Sequence, residues 1–278
     1  MRHKRLVFFD FLKGVAILAV IAVHAADFTP HASILKVFLW FALPLFIFES
    51  GYLLSIRHDN DLDLKEYLKH ILSRIFVIYL FFVIMFRLIL GQEFTAKEIF
   101  LDVIFGRTSG NYYFIPIILQ FYLLYPLLRK FKKYFKNYFV FNLLYLIGFL
   151  FYLLDSLLQK PEWNSNPFSL AFFGRFFFYF CFGMILAEYD INKIRWKHTI
   201  GTVVIFGISM IFFRYYGGSW YLTYLYPLII LLLFLKIHNF FGDRKFKIPI
   251  INHIGKLSLI IYLVHIRLLY DFIAPYVA

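Results

Sequence analysis

The sequence has few of the residues that form the surface of a soluble protein. Only 16% of its 278 residues are charged, and Asp and Glu together number 16. Its one cysteine, Cys181, excludes an intramolecular disulfide and most thiolate metal sites, so we expect no metal centre. The connections between its apolar segments, of which 91–111 is among the longest, are too short to form a soluble domain. These absences exclude a chain with a polar shell.

Hydrophobic residues make up 62% of the chain, which includes 39 Phe. This composition indicates an integral membrane protein. The apolar segments have the length of transmembrane helices rather than that of alternating barrel strands. We therefore expect an all-α fold, a polytopic bundle of transmembrane helices that forms one integral-membrane domain over residues 1–278.

The criterion of about 20 apolar residues per span predicts nine transmembrane helices. They cover residues 8–27, 34–55, 71–90, 112–128, 138–156, 169–188, 198–215, 220–237 and 251–274. The N-terminus and its alternate connections hold 19 Lys and Arg, whereas the opposing connections hold 3. This asymmetry predicts a cytoplasmic N-terminus and an external C-terminus. Because these basic residues lie in the connections between spans, we attribute the net charge of +13 to the lipid bilayer as partner. We therefore expect no nucleic-acid partner.

The first helix carries three ionisable residues, Asp10, Lys13 and His24. Ionisable groups inside a membrane-length helix cost free energy, so each is a candidate functional residue. On a straight helix, Lys13 and His24 are about 16 Å apart along the axis. Their directions differ by only about 20°, so they share one face. One helix therefore offers a cation near one membrane surface and an imidazole near the other.

The second and third helices add candidates near the cytoplasmic surface. Glu49 is predicted at the depth of Lys13, where it either pairs with that residue or lines a wet cavity. Residues 61–80 predict an amphipathic surface helix that leads into the third span. Arg74 is expected to start the buried part of that span and to bind an anionic ligand such as a nucleotide phosphate. Lys69 is a candidate for the same ligand, with membrane anchoring as the alternative.

The later helices carry polar residues at greater depth. Gln120 needs a hydrogen-bond partner within the membrane, and Arg175 either lines a cavity or reaches towards the surface. In the last span, Tyr262 is followed by His265, which a straight helix places about 21 Å above Ile251. His24 lies about 24 Å above the start of its own helix, so the two histidines are predicted at comparable heights, in a shared site.

Five segments, in this order and spacing, resemble the membrane-bound acyltransferase 3 family of the cell-envelope O-acyltransferase type. They are FDFLKGVAILAVIAVH, ESGYLL, YYFIPIILQFYLLYPLL, RFFFYFCFGMILA and IGKLSLIIYLVH. The chain departs from the family pattern at Ile71, where an arginine is common, and at Glu49, where an aliphatic residue is expected. The family usually has ten spans, whereas this chain ends soon after His265.

The resemblance implies an enzyme of a bacterial cytoplasmic membrane that uses acyl-CoA, most often acetyl-CoA, as donor. Its acceptor would be a hydroxyl of a cell-envelope glycan on the outer side. The resemblance leaves open the acceptor, the choice between acetyl and succinyl, and whether an extracytoplasmic partner transferase completes the reaction.

We can assign hypothetical roles to the candidates on this basis. Cations near the cytoplasm would hold the CoA phosphates, namely Lys13, Arg74 and Lys69. His24 would either remove the hydroxyl proton or carry the acyl group, with His265 as a second group for proton transfer. Asp10 would orient Lys13. The oxyanion or the glycan would be held by Arg175, Gln120 or Tyr262, and Glu49 is a further substrate-binding candidate.

Two other classes of function fit buried His, Glu and Arg residues. One is a transporter or flippase for an envelope polysaccharide or a lipid-linked sugar, which commonly shows inverted repeats and paired broken helices. We find neither signal in the sequence. The other is a noncatalytic membrane partner of a glycan synthase.

Overall fold

A computed structural model describes residues 7–29, 32–58, 62–131, 171–188 and 226–273, with isolated positions between 134 and 154. Every regular element within these residues is helical. The predicted all-α fold is therefore confirmed for this part of the chain. Most of the predicted span 138–156 and all of 198–215 lie outside the described residues.

The described α-helices are numbered here in chain order. They are α1 (Val7–Ala25), α2 (Ala32–Leu39), α3 (Ala42–Arg57), α4 (Leu64–Ile71), α5 (Val77–Ile89), α6 (Ala96–Phe105), α7 (Phe114–Lys130), α8 (Phe177–Leu186), α9 (Tyr226–Phe241), α10 (Pro249–Lys256) and α11 (Ser258–Arg267). A 3-10 turn follows α1 at Ala26–Phe28, and another precedes α8 at Phe173–Phe176. A π-helical turn at Leu72–Phe76 joins α4 to α5, and a second one at Leu268–Ile273 follows α11.

Three helices of the described residues are long and apolar enough to cross a membrane: Val7–Phe28, Leu35–Arg57 and Leu64–Ile89. A fourth span is present if the helices Pro249–Lys256 and Ser258–Phe272 count as one. The third span includes the expected amphipathic segment, because α4 continues into α5 through the π-helical turn. These helices identify the chain as a membrane protein.

The predicted second span, 34–55, corresponds to the candidate span Leu35–Arg57, in which a turn at 40–41 separates α2 from α3. The connection 91–111, for which the sequence analysis assigned no element, contains α6. The Thr95 side chain caps α6 by accepting a hydrogen bond from the Glu98 backbone, and Gly106 ends it with a φ of 65°. Thr95 and Glu98 have the spacing of a capping box, which could have revealed this helix.

The last predicted span, 251–274, is not one straight helix. Its two halves, α10 and α11, meet at an angle of 80°. Leu257 lies between them with φ −94° and ψ 4°, and its N–H donates to the carbonyls of His253 and Ile254. The rise of about 21 Å that was calculated for His265 is therefore wrong, because it assumed one axis throughout.

Contacts divide the chain into two compact units, residues 1–50 with 186–278, and residues 51–185. In the first unit, α1 and α10 meet backbone to backbone at two glycines. A Cβ atom on Gly255 would lie 1.9 Å from the Asp10 carbonyl oxygen, and one on Gly14 would lie 2.2 Å from the Ile251 carbonyl oxygen. Only glycine allows this approach, which fixes α1 against the segment that leads into α11.

Polar contacts hold the start of α1 in the same unit. The Phe8 backbone N–H donates to Oδ1 of Asp243 at 2.9 Å, so a carboxylate lies at the positive end of the helix dipole. The Asn252 amide donates to the Val7 carbonyl at 2.9 Å. Both contacts fix the end of α1 that carries Asp10 and Lys13.

The second unit contains a buried ion pair and a close helix contact. Arg87 on α5 pairs with Asp102 on α6, and their side chains are only 5% and 4% exposed. Asp102 also accepts a hydrogen bond from the Thr108 hydroxyl at 3.0 Å. A Cβ atom on Gly51 would lie 2.2 Å from the Phe180 carbonyl oxygen. The absence of a side chain at Gly51 thus permits this close helix packing.

Candidate functional site

The two histidines predicted to share a site lie side by side in the first unit. The rings of His24 on α1 and His265 on α11 have their centroids 5.3 Å apart, with an angle of 47° between their planes. His24 is half-buried, whereas His265 is only 3% exposed. The predicted proximity is therefore confirmed, although the calculation of equal heights used a straight helix.

Backbone contacts define the tautomer of His265. Its Nδ1 lies 2.8 Å from the Tyr262 carbonyl oxygen and 3.3 Å from that of Ile261. Carbonyl oxygens only accept hydrogen bonds, so Nδ1 must carry the hydrogen. Nε2 then has a free lone pair, and it is buried without a hydrogen-bond partner. The structure therefore presents an imidazole whose Nε2 can accept a hydrogen bond.

Tyr262 supports this arrangement in a second way. Its side chain is 4% exposed, and its ring lies 5.5 Å from the His265 ring. The carbonyl and the ring of one residue thus restrict the imidazole from two sides. Tyr262 therefore contacts His265 through both its carbonyl and its ring.

A polar cluster that the sequence analysis missed lies just beyond His24. Asp27 accepts hydrogen bonds from the Lys36 ammonium group and, at 2.8 Å, from the Tyr270 hydroxyl. Asp27 and Lys36 are close enough to His24 to interact with it electrostatically. Asp27 stands three residues after the candidate histidine, which is the signal that could have drawn attention to it.

The opposite end of α1 carries Asp10 and Lys13. Asp10 is buried at 8% exposure and Lys13 is half-buried. Glu49 is fully buried, and neither of its carboxyl oxygens has a hydrogen-bond partner. Lys13 and Asp10 act on Glu49 only electrostatically. The expected pairing of Lys13 with Glu49 is therefore an electrostatic interaction without a direct hydrogen bond.

In the second unit, Arg74 and Lys69 lie on the exposed side of the helix that runs through α4 and α5. Arg74 belongs to the π-helical turn and is exposed, so the expectation that it starts the buried part of the span is wrong. Single π-helical turns within α-helices occur frequently at functional sites, because they alter the direction of the side chains. Lys69 is also exposed.

Further basic residues lie in the same unit, and the sequence analysis did not single them out. Arg57 is 3.0 Å from Nε2 of His70, and the Arg129 guanidinium donates to the His58 carbonyl at 2.9 Å. Burial lowers the pKa of His58, and the charges of Arg57, Arg129 and His70 lower it further. Arg74 also interacts electrostatically with His70. These residues form a cluster of positive charge suited to an anion.

Gln120 and Arg175 also belong to the second unit. The Gln120 amide donates to the Ala171 carbonyl at 2.7 Å and accepts from the Phe173 N–H at 3.3 Å. The expectation that this amide has a partner is confirmed, and the partner is backbone. Arg175 lies in the 3-10 turn that follows and is half-buried. Gln120 thus holds the turn that carries Arg175.

Comparison with known proteins agrees with the sequence motifs. A family model described as "Acyltransferase domain" matches residues 6–277. The chain is also similar to the Bacillus subtilis protein named "Putative membrane-bound acyltransferase YfiQ". The two are 26% identical over an alignment of 271 positions, which covers 90% of this chain and 74% of that protein. No solved structure gives a significant match.

Proposed function

Because the chain belongs to the acyltransferase 3 family, we propose that it transfers an acetyl group from cytoplasmic acetyl-CoA to a hydroxyl of a cell-envelope carbohydrate. The observation that supports a catalytic site most directly is the free basic nitrogen of His265 beside the ring of His24. A bacterial cell membrane with the N-terminus in the cytoplasm is part of this proposal. The charge asymmetry of the connections supports that orientation.

The reaction requires one proton to move as two bonds exchange. The acceptor oxygen bonds to the acyl carbon, the bond from that carbon to sulfur breaks, and the hydroxyl proton leaves. The proton finally protonates the thiolate of CoA. A positioned general base contributes about 10²–10⁴ to the rate of such a step.

The two histidines suit different parts of this step. His24 is half-buried, so we assign it the contact with the reacting groups, as general base or as transient acyl carrier. His265 is buried and acts through His24. The structure shows no hydrogen bond between the two rings, but with their centroids 5.3 Å apart, a rotation of the His24 ring would bring one of its nitrogens to hydrogen-bond distance of Nε2 of His265. Nε2 of His265 would then accept the N–H of His24.

The donor is proposed to bind through cations. In the second unit, Arg74 and Lys69 are accessible, and Arg57 and Arg129 extend their positive charge. In the first unit, Lys13 remains a proposed phosphate contact. Arg175 remains a proposed contact for the oxyanion or the glycan.

Purified protein in liposomes tests the proposal. Labelled acetyl-CoA is supplied on the face that carries the N-terminus, and a glycan is enclosed on the other face. Label in the glycan is expected for the wild type and should be lost in His24→Ala at unchanged membrane abundance. His253→Ala is the matched control, because His253 is an exposed histidine on α10. Full activity of His24→Ala, or an equal loss in the control, contradicts the assignment.

A transporter is the second candidate, and the bend between α10 and α11 is the observation that favours it. Transporters commonly use broken helices at their binding sites. Within the described residues, α10 and α11 are the one bent pair of helices that could form a broken transmembrane span. A transporter is expected to have two such broken spans. Movement of the glycan across the liposome membrane without acetyl-CoA would support this alternative.

A further inference from the structure

Three ends of candidate spans meet at the Asp27 cluster. Asp27 and Phe28 close the span Val7–Phe28, and Lys36 opens the span Leu35–Arg57. Tyr270 lies near the end of the bent pair, in the π-helical turn after α11. All of these residues belong to the first unit. The cluster therefore lies at one membrane boundary, at the end of α1 that carries His24.

The cluster is accessible, in contrast to the histidine beneath it. The side chains of Asp27 and Lys36 are each 32% exposed, and Tyr270 is 39% exposed. His265, five residues before Tyr270, is 3% exposed. A molecule that approaches the histidine pair from this side meets the cluster first.

The chemistry of the cluster matches a molecule rich in hydroxyl groups. A carboxylate accepts hydrogen bonds from hydroxyls, an ammonium group donates to them, and a tyrosine hydroxyl does both. The rings of Phe28 and Tyr270 lie 5.3 Å apart at 54°. They add a partly exposed apolar surface beside these polar groups, as in small-molecule sites where a few polar groups fix orientation.

A purely structural role does not account well for the cluster. An ion pair between exposed groups contributes only about 0–1 kcal/mol to stability. The π-helical turn that carries Tyr270 is a rare conformation that is frequently found at functional sites. We propose that Asp27, Lys36, Tyr270 and Phe28 form the binding subsite for the carbohydrate acceptor and present one of its hydroxyls to His24. This inference rests on the proposed function, since it names the acceptor site of that reaction.

Kinetics with simple acceptors test the subsite. The acceptors are methyl glycosides of glucose, galactose and N-acetylglucosamine, with n-butanol as a hydroxyl that has no sugar ring. Asp27→Asn should raise the KM for the preferred glycoside by roughly 10- to 100-fold, the equivalent of one hydrogen bond to a charged group. The KM for acetyl-CoA should stay unchanged, and the rate with n-butanol should fall less than the rate with the glycoside, because Asp27 also interacts electrostatically with His24. Tyr270→Ala should weaken glycoside use more than Tyr270→Phe, because only the alanine variant loses the ring.

Asp271→Asn is the matched control, because Asp271 is an exposed carboxylate next to Tyr270 that lies outside the cluster. An unchanged glycoside KM in both Asp27→Asn and Tyr270→Ala overturns the subsite. The subsite is also overturned if these variants lose activity equally with n-butanol and with the glycoside. That result would show that the cluster acts on His24 alone. An equal loss in Asp271→Asn overturns it as well.

A binding measurement separates this inference from the proposed function. The preferred glycoside should stabilise the purified protein against heat, and the effect should disappear in Asp27→Asn but persist in Asp271→Asn. Wild-type protein that transfers to no hydroxyl refutes the proposed function. Stabilisation by the glycoside that is the same in wild type and Asp27→Asn, or absent from wild type, refutes the subsite.

Discussion

Replacing Gly255 by alanine should separate the helices that position the two histidines. The added Cβ atom would lie 1.9 Å from the Asp10 carbonyl oxygen and 2.8 Å from the Gly14 nitrogen. Both are backbone atoms, so no side-chain rotation can relieve the overlap. The backbones of α1 and α10 must move apart.

The size of this movement follows from the contact distances. Ordinary van der Waals contact begins at 3.4 Å, and the difference from 1.9 Å is 1.5 Å. Overpacking of this kind costs typically about 1–3 kcal/mol of stability. Misplacement of reacting groups by about 1 Å can cost about 10²-fold in rate. We therefore expect Gly255→Ala to lose at least 100-fold in transfer activity if His24 and His265 act together.

The assay compares thermal stability and acyl transfer for the purified wild type and variant. Gly110→Ala is the matched control, because nothing lies within 4 Å of the Cβ position at Gly110 and no unusual φ is recorded there. That variant should keep both properties. Wild-type stability and activity in Gly255→Ala would refute the close contact between α1 and α10. Normal activity in a destabilised Gly255→Ala protein would refute the dependence of catalysis on that contact.

Three further predictions concern buried or charged groups. Glu49→Leu should raise the free energy of unfolding by about 1–3 kcal/mol, because the buried carboxyl has no hydrogen-bond partner. A decrease in the free energy of unfolding would contradict this account. Asp102→Ala should destabilise the protein by about 3 kcal/mol, because the buried Arg87 loses its closest carboxylate and, among the described residues, keeps only Glu98, at 3.9 Å, as a charged partner, and the double variant with Arg87→Met should recover part of the loss in the same unfolding assay. The pKa of His58 is lowered from its usual 6.5 in the folded protein. As the pH falls below about 7, His58 is therefore protonated in the unfolded chain before it is protonated in the folded protein. Stability should therefore fall as pH decreases through this range, and His58→Gln should reduce the fall; an unchanged pH profile of melting temperature would contradict the buried environment of His58.

The local sequence predicted the helices well where they were continuous. The lipid interior leaves backbone groups no water to bind, so long apolar segments form helices irrespective of their neighbours. The expected helix 8–27 agrees with α1 within a few residues, and 71–90 overlaps the helix that runs from Leu64 to Ile89 in all but its last residue. Hydropathy reports how apolar a segment is, but it does not report the direction of the helix axis. It therefore missed the bend of 80° at Leu257 and the short helix α6.

Only some features of the candidate site could be predicted from the sequence, because some belong to a single helix and others depend on how helices pack. The spacing of Lys13 and His24 on one face is a property of α1 alone, and the resemblance to the family was carried by short motifs. In contrast, the partners of Gln120 and Glu49 depend on which helices pack together. The structure gave Gln120 two backbone partners, while it left the Glu49 carboxyl without a hydrogen bond.

The sequence by itself determined that this chain enters a membrane as helices and which of its residues are costly to place there, because both follow from the transfer of single segments out of water. The sequence also predicted that His24 and His265 share a site. Only the tertiary structure decided that their ring centroids lie 5.3 Å apart, that Nε2 of His265 has no hydrogen-bond partner, and that Asp27 contacts Lys36 and Tyr270. These contacts link residues as many as 243 positions apart. They depend on the glycine contact between α1 and α10 and on the bend after α10, and neither has a local signature in the hydrophobic pattern.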